Sequence, residues 1–199
     1  MYEGFYGLQE RPFALLPDPS FLFLSKGHST ALTLLRYSIL NRQGFTVVSG
    51  EVGSGKTTLI NRLLDEMKSG VTVGLINFTT RSFGEMAEWI MMAYGLPYKN
   101  KSKVELYDDF VQFMIREYAA GRLVVLIADE AQNLGIRGLE EIRMLSNVNA
   151  QKDYLLHVIL VGQPELRSLL QSPQLKQLTQ RVSVAFHLRP LTDEEVEQY

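Results

Sequence analysis

The chain has 199 residues, 46% of them hydrophobic and 21% charged, enough for one globular domain with a substantial core and unlike a disordered polymer. Lys and Arg number 20 against 22 Asp and Glu, and the net charge of −2 gives no electrostatic footprint for nucleic acid or an anionic membrane, though a local basic surface stays open. Cysteine is absent, which excludes disulfides, thiolate metal sites and a cysteine nucleophile and fits a reducing compartment.

The N-terminus has no positive region followed by an apolar one, so no signal peptide is expected. No window of about 18 uninterrupted apolar residues exists to span a membrane, and a cytoplasmic location is expected. Residues 1–28 are rich in proline and aromatics, among them Phe5, Tyr6, Pro12, Phe13, Pro17, Pro19, Phe21 and Phe23. The Pro17-Asp18-Pro19 run forbids helix, and an ordered, packed arm is predicted. Ser29 is predicted to cap a helix to about Asn41, with Leu32, Leu35, Ile39 and Leu40 near one face, until Gly44 breaks it.

From there the pattern alternates. "FTVVSG" (45–50) reads as a buried strand and 56–68 as a helix closed by Ser69-Gly70. "VTVGLINF" (71–78) is a second strand, and 82–94 and 104–120 are amphipathic helices. "RLVVLIAD" (122–129) is a third strand, 137–150 a helix and "YLLHVILVG" (154–162) a fourth strand. Residues 164–180 form one or two helices split at Pro173, and "RVSVAFHL" (181–188) is the fifth strand. Several strands are apolar on both faces, which predicts an α/β fold with a parallel sheet covered on both sides. Thr192 then caps a helix with Glu195 at N3, and its short body suggests an N-terminal part of a longer protein.

Between the first strand and its helix lies Gly50-Glu51-Val52-Gly53-Ser54-Gly55-Lys56-Thr57, matching G-x-x-x-x-G-K-[ST] at every fixed position. Glycines let successive N–H groups converge on phosphate oxygens, and the following helix aims its positive end at the same anion. Lys56 is expected to bridge the β- and γ-phosphates of ATP and Thr57 to complete a Mg2+ shell, with Ser54 and Thr58 as lesser contributors. The bland alternative is a glycine-rich turn with an incidental lysine.

The third strand ends in Asp129-Glu130, at the sheet end where parallel α/β folds bind ligands. Asp129 is expected to hold Mg2+ and Glu130 to act as general base towards water, which predicts ATP turnover and not binding alone. An ordinary acidic pair at a strand end is the competing reading. The fourth strand ends in Gln163, either a sensor orienting the attacking water or merely the turn before a Pro164 at N1. Arg181, at a helix end, fits equally a solvated charge and a finger reaching a neighbouring subunit's ATP. His28, His157 and His187 have no ligand spacing, so no metal site is assigned to them.

With "YGLQERPFALLPDPSFLFLS", "GFTVVSGEVGSGKTTL", "LIADEAQNL", "VILVGQPELR" and "LTQRVSVAFHLRPL", the chain resembles the AAA+ ATPases of the general secretion pathway protein A family. Two stretches, "KSKVELYDDFVQFMIREYAAGR" and "IRMLSNVNAQKDY", look most like the ATPases of exosortase (PEP-CTERM) loci in exopolysaccharide producers. The resemblance implies a three-layer ASCE P-loop core with strand order 5-1-4-3-2, Gln163 as sensor 1, Arg181 as arginine finger and an arm near the adenine. It divides the chain into an arm and helix (1–43), a core (44–190) and the start of a mostly missing helical lid (191–199). It further implies a homo-oligomer serving a cell-envelope secretion or polysaccharide system, with membrane contact only through regions beyond residue 199. The acidic balance argues against nucleic acid, yet a DNA-associated switch of the transposition-target type shares the "VGQ" look and is the alternative. "DEAQ" alone also suggests a helicase, but no second RecA-like domain accompanies it.

Overall fold

A computed structural model describes Gly7 and residues 23–67, 70–77, 85–150 and 153–198. Most of the proline-rich arm, the predicted end of the second strand at Phe78 and the predicted start of the next helix at 82–84 lie outside the described residues.

The first helix, α1 (Lys26–Leu40), starts one turn earlier than the sequence suggests. Ser25 and not Ser29 is the N-cap, its Oγ accepting from His28 N at 3.3 Å, while the N–H of Ser29 is already spent on Ser25 O at 2.9 Å. There follow β1 (Phe45–Gly50), α2 (Lys56–Glu66), β2 (Val71–Asn77), α3 (Met86–Ala93), α4 (Lys103–Ala119) and β3 (Leu123–Asp129). Ser102 and Glu105 form a capping box at the start of α4. A 3-10 turn (Ala131–Leu134) leads into α5 (Gly135–Leu145), and β4 (Leu156–Gly162), α6 (Pro164–Leu170), a 3-10 turn (Pro173–Leu175), α7 (Lys176–Thr179), β5 (Val182–Leu188) and α8 (Asp193–Gln198) complete the chain.

The predicted helix 137–150 is cut short. Ser146 caps α5, its Oγ turning back onto Arg143 O at 2.7 Å, and Asn149–Ala150 pairs antiparallel with Asp153–Tyr154 as a small ribbon. A serine followed by Asn147, Val148 and Asn149 favours local side-chain bonds and extended backbone over another helical turn. Thr192 does cap α8, exchanging bonds of 3.0 and 3.3 Å with Glu195.

The main sheet has five parallel strands in the order β2-β3-β4-β1-β5. Read from the other edge and leaving aside the ribbon, this is 5-1-4-3-2. β3 and β4 are buried at all seven positions, as central strands covered on both faces must be. Alternation divides their side chains. Val125, Ile127, Ile159 and Val161 pack with Leu35 of α1 and Leu59 of α2. Leu126, Ala128, Val158 and Leu160 pack with Ile90, Phe110, Leu139 and Leu166 of α3 to α6. Truncating fully buried Leu126 to alanine would cost about 2–5 kcal/mol. This is a three-layer α/β fold, and every C-terminal strand tip faces the same end of the sheet.

Candidate functional site

The site forms at that end. β1 stops at Gly50, a loop turns through Gly53 and Gly55 at φ 77° and 84°, and α2 begins at Lys56. Backbone at those φ values resists a Cβ, which accounts for glycine at both positions. Among the described residues no side chain caps α2, whose N-cap is Gly55, so its first N–H groups stand at the end of the loop unclaimed by a cap. Val52 stands 78% exposed at the loop tip, beside exposed Glu51. Lys56 is buried and folds back inside the loop, donating from Nζ to Gly50 O and Glu51 O, each at 2.8 Å. Buried Ser54 has an Oγ with no partner among the described residues, and Thr58 is half-buried.

Asp129 reaches the loop from the tip of β3. Its Oδ2 accepts from Thr57 Oγ1 at 3.1 Å and its Oδ1 from Glu130 N at 2.9 Å. Burial pushes the Asp129 carboxyl above the usual carboxylate range, and the Glu130 charge adds to that. The Glu130 N–H, the Thr57 hydroxyl and the Lys56 charge pull the other way. Glu130 itself sits at φ 52°, ψ 39°, an uncommon left-handed conformation for a side chain this large, at the corner where strand becomes turn.

Gln163 ends β4 in the sheet position between β3 and β1. It is the N-cap of α6 with Pro164 at N1, and its side chain donates to Glu130 Oε2 at 3.1 Å. Gln132, which the sequence reading passed over, donates from Nε2 to the same oxygen and accepts the Gln163 backbone N–H at 3.1 Å.

Another unanticipated residue is His28. It is buried, with Nε2 3.0 Å from Ser54 O and Nδ1 2.8 Å from Ser25 Oγ. A carbonyl only accepts, so Nε2 carries the proton and Nδ1 accepts from the Ser25 hydroxyl. A Cβ at Gly55 would lie 2.7 Å from that Nε2, so the loop glycine also makes room for the histidine. Nothing in sequence spacing announces a contact between a helix start and a loop 26 residues on.

Arg181 does not join this site. It precedes β5, whose Val182 pairs with Phe45 at the opposite end of β1 from the loop. Five residues of strand put it on the order of 15–20 Å away. Its Nη1 donates to Ser146 Oγ at 2.9 Å and reaches Arg143 O at 3.4 Å, and its guanidinium lies over the Tyr154 ring, 5.6 Å from the centroid.

The arrangement gathers backbone donors and an ammonium, a hydroxyl paired with a carboxylate, and a second carboxylate held by two amides. Among the described residues no three His, Cys, Asp or Glu side chains converge on a metal position. Thr57 and Asp129 nonetheless suit Mg2+, which is bound through one or two protein oxygens and completed by water and phosphate.

The AAA domain family model matches residues 39–170. General secretion pathway protein A of Aeromonas hydrophila is 36% identical over 200 residues, a match that takes in 100% of this chain and 37% of that protein. The chain therefore spans little more than a third of that relative's length. Among solved structures, the Aeropyrum pernix ORC2 protein in its ADPNP–ADP complexes matches with a TM-score of 0.66 at 18% identity, over 89% of this chain and 50% of that one. CDC6P of Pyrobaculum aerophilum matches with a TM-score of 0.67 at 16% identity, over 94% and 50%. The Aeropyrum pernix ORC1 protein in complex with DNA matches with a TM-score of 0.61 at 19% identity, over 94% and 51%. At these identities the likeness is one of fold. The expectation that the acidic balance makes nucleic acid an unlikely partner is not supported, since one of these proteins was solved in complex with DNA. Among the described residues no helix is long and apolar enough to cross a membrane.

Proposed function

This chain belongs to the AAA domain family, and we propose that it binds ATP with Mg2+ and hydrolyses it to ADP and phosphate. The observation that carries the reading is the 3.1 Å bond between Thr57 Oγ1 and Asp129 Oδ2. It brings the last residue of the phosphate loop and the carboxylate of a separate strand to one point beside the Lys56 ammonium.

In this reading the N–H groups of Gly50 to Thr58 wrap the phosphates, and Lys56 exchanges the carbonyls of Gly50 and Glu51 for β- and γ-phosphate oxygens. Thr57 and Asp129 hold the metal, which when bound offsets charge on the phosphates. Glu130 takes a proton from water as the water oxygen bonds to the γ-phosphorus and the bond to the β–γ bridging oxygen breaks. Gln163 orients that water or the γ-phosphate from the neighbouring strand tip. Arg181, remote from its own loop, acts on the ATP of an adjacent subunit in a homo-oligomer.

Residues 44–190 form the ATPase core in this account. The 36% identity to general secretion pathway protein A supports a role in energising or assembling a cell-envelope secretion system. The stretches 101–122 and 142–154 favour an exopolysaccharide system of the exosortase type. ATP as substrate puts the reaction on the cytoplasmic side of the envelope.

Phosphate release by the purified chain with ATP and Mg2+ tests the reading. Turnover that requires Mg2+ is expected, and a chain that retains no nucleotide overturns it. Stimulation by DNA with a steep salt dependence would transfer the chain to the DNA-associated alternative.

A further inference from the structure

The roles assigned above leave Gln132 idle, although its side chain is tied at both ends. The backbone N–H of Gln163 only donates, so the atom facing it at 3.1 Å is Oε1, and Nε2 is turned towards Glu130. Gln163 Nε2 donates to the same Glu130 oxygen. Three side chains from two adjacent strand tips thus close a ring of hydrogen bonds around one carboxylate. Both amides converge on Oε2, which fixes the orientation of the carboxylate and leaves Oε1 free of either amide.

An independent observation concerns Gly162, the glycine of "VGQ". A Cβ there would lie 2.5 Å from Gln132 Oε1 and 3.0 Å from Leu166 Cδ2. The glycine at the end of β4 is the clearance in which the Gln132 amide lies.

We propose that Gln132 is a positioning residue for hydrolysis, tying Glu130 to the tip of β4 so that base and sensor are held as one unit. The inference rests on the ATPase reading above. A general base works only within hydrogen-bond reach of its water, and displacement by about 1 Å costs on the order of a hundredfold in rate. Glu130 sits in a left-handed corner with its side chain half-exposed, so the two amides supply its alignment.

The distinguishing variant is Gln132→Glu in the full chain. An ionised glutamate still accepts the Gln163 N–H, but it offers Glu130 no donor and repels its carboxylate. Gln132→Ala, which removes the donor without adding charge, is therefore read beside it. Turnover of Mg2+-ATP, nucleotide affinity and thermal stability are measured for the wild type, Gln132→Glu, Gln132→Ala, Gly162→Ala and the Gly162→Ala/Gln132→Ala pair. Both Gln132 variants are expected to lose roughly ten- to a hundredfold in kcat with ATP affinity unchanged. Gly162→Ala is expected to lower kcat, and the pair to be no slower than Gln132→Ala, because both changes remove the same contact. A Gln132→Glu protein as fast as an active wild type overturns the inference and leaves the ATPase reading standing, as does a loss confined to affinity. A wild type that hydrolyses nothing overturns both.

Discussion

Gln163 Nε2 lies 3.1 Å from Glu130 Oε2 although 33 residues separate them in the chain. The bond follows from sheet order. β3 and β4 are neighbours with Ala128 opposite Leu160, and β4 and β1 are neighbours with Val48 opposite Val161. The tip of β4 therefore stands between the acidic corner and the phosphate loop, and the side chain at position 163 meets the acidic corner. Gln163 is thus joined to Glu130 directly through its own amide and a second time through Gln132.

Glu130 and Lys56 should fail in opposite ways. Glu130→Gln removes the proton acceptor but leaves the loop intact, so ATP stays bound while turnover falls by about 10²–10⁴-fold. Lys56→Ala removes a buried ammonium that makes two hydrogen bonds of 2.8 Å in the loop. Charge-assisted bonds contribute roughly 1.5–3 kcal/mol each, so ATP affinity should drop by about a hundredfold or more. Titration with a fluorescent nucleotide beside a phosphate-release assay separates the two. Tight ATP binding by Lys56→Ala would contradict the loop assignment.

Arg181 offers a test of assembly. In its own chain it is engaged with Ser146, Arg143 O and Tyr154, at the far end of the sheet from the loop. If it serves a neighbour's ATP, Arg181→Ala subunits bind nucleotide normally but turn it over slowly in homogeneous assemblies. Mixing them with Glu130→Gln subunits should restore part of the activity, since some interfaces then combine an intact arginine with an intact base. Absence of rescue at every mixing ratio would assign Arg181 to packing alone.

The parts of this molecule that were legible in the sequence are those set by local pattern. Five strands, the turn from Gly50 to Thr57 and the carboxylates at 129 and 130 each follow from periodicity or spacing within one segment. What was not legible depends on partners far along the chain. The cap at Ser25 was hidden because Lys26, Gly27 and His28 look like a poor helix start. They are stabilised there by the bond from His28 to Ser54 O, which only the folded chain supplies. Likewise "DEAQ" gives no hint that Gln132 meets the backbone of Gln163, and Ser146 to Asn149 read as helix because the ribbon that replaces it forms by pairing with Asp153 and Tyr154.

His28 is expected to hold the phosphate loop to α1. Its removal leaves Ser54 O without a buried donor, a cost of about 1–3 kcal/mol. His28→Ala should therefore melt several degrees lower than the wild type and bind ATP more weakly, because the loop must then be ordered by the nucleotide itself. His28→Gln, whose amide also donates, should recover part of both losses. Melting curves with and without ATP check this, and a His28→Ala protein unchanged in both respects would mean that the loop needs no such tether.

His157 should give the fold a pH dependence of predictable sign. It lies fully buried in β4, its Nδ1 donating to Gln43 O and its Nε2 3.4 Å from Ser38 Oγ. Burial lowers its pKa from 6.5 to about 4, only partly opposed by the Gln43 carbonyl. The folded chain thus keeps His157 neutral where the unfolded chain protonates it, and the unfolded state binds more protons between those two values. Stability from this group is complete above pH 6.5 and is lost as the pH falls towards 4, by up to roughly 3 kcal/mol. Carboxylates contribute their own slope in the same range, so the measurement is a difference. Urea midpoints from pH 7 to pH 4 should fall more steeply for the wild type than for His157→Gln, which has no proton to gain. Parallel curves would show that the imidazole is charged, or hydrated, inside the folded protein.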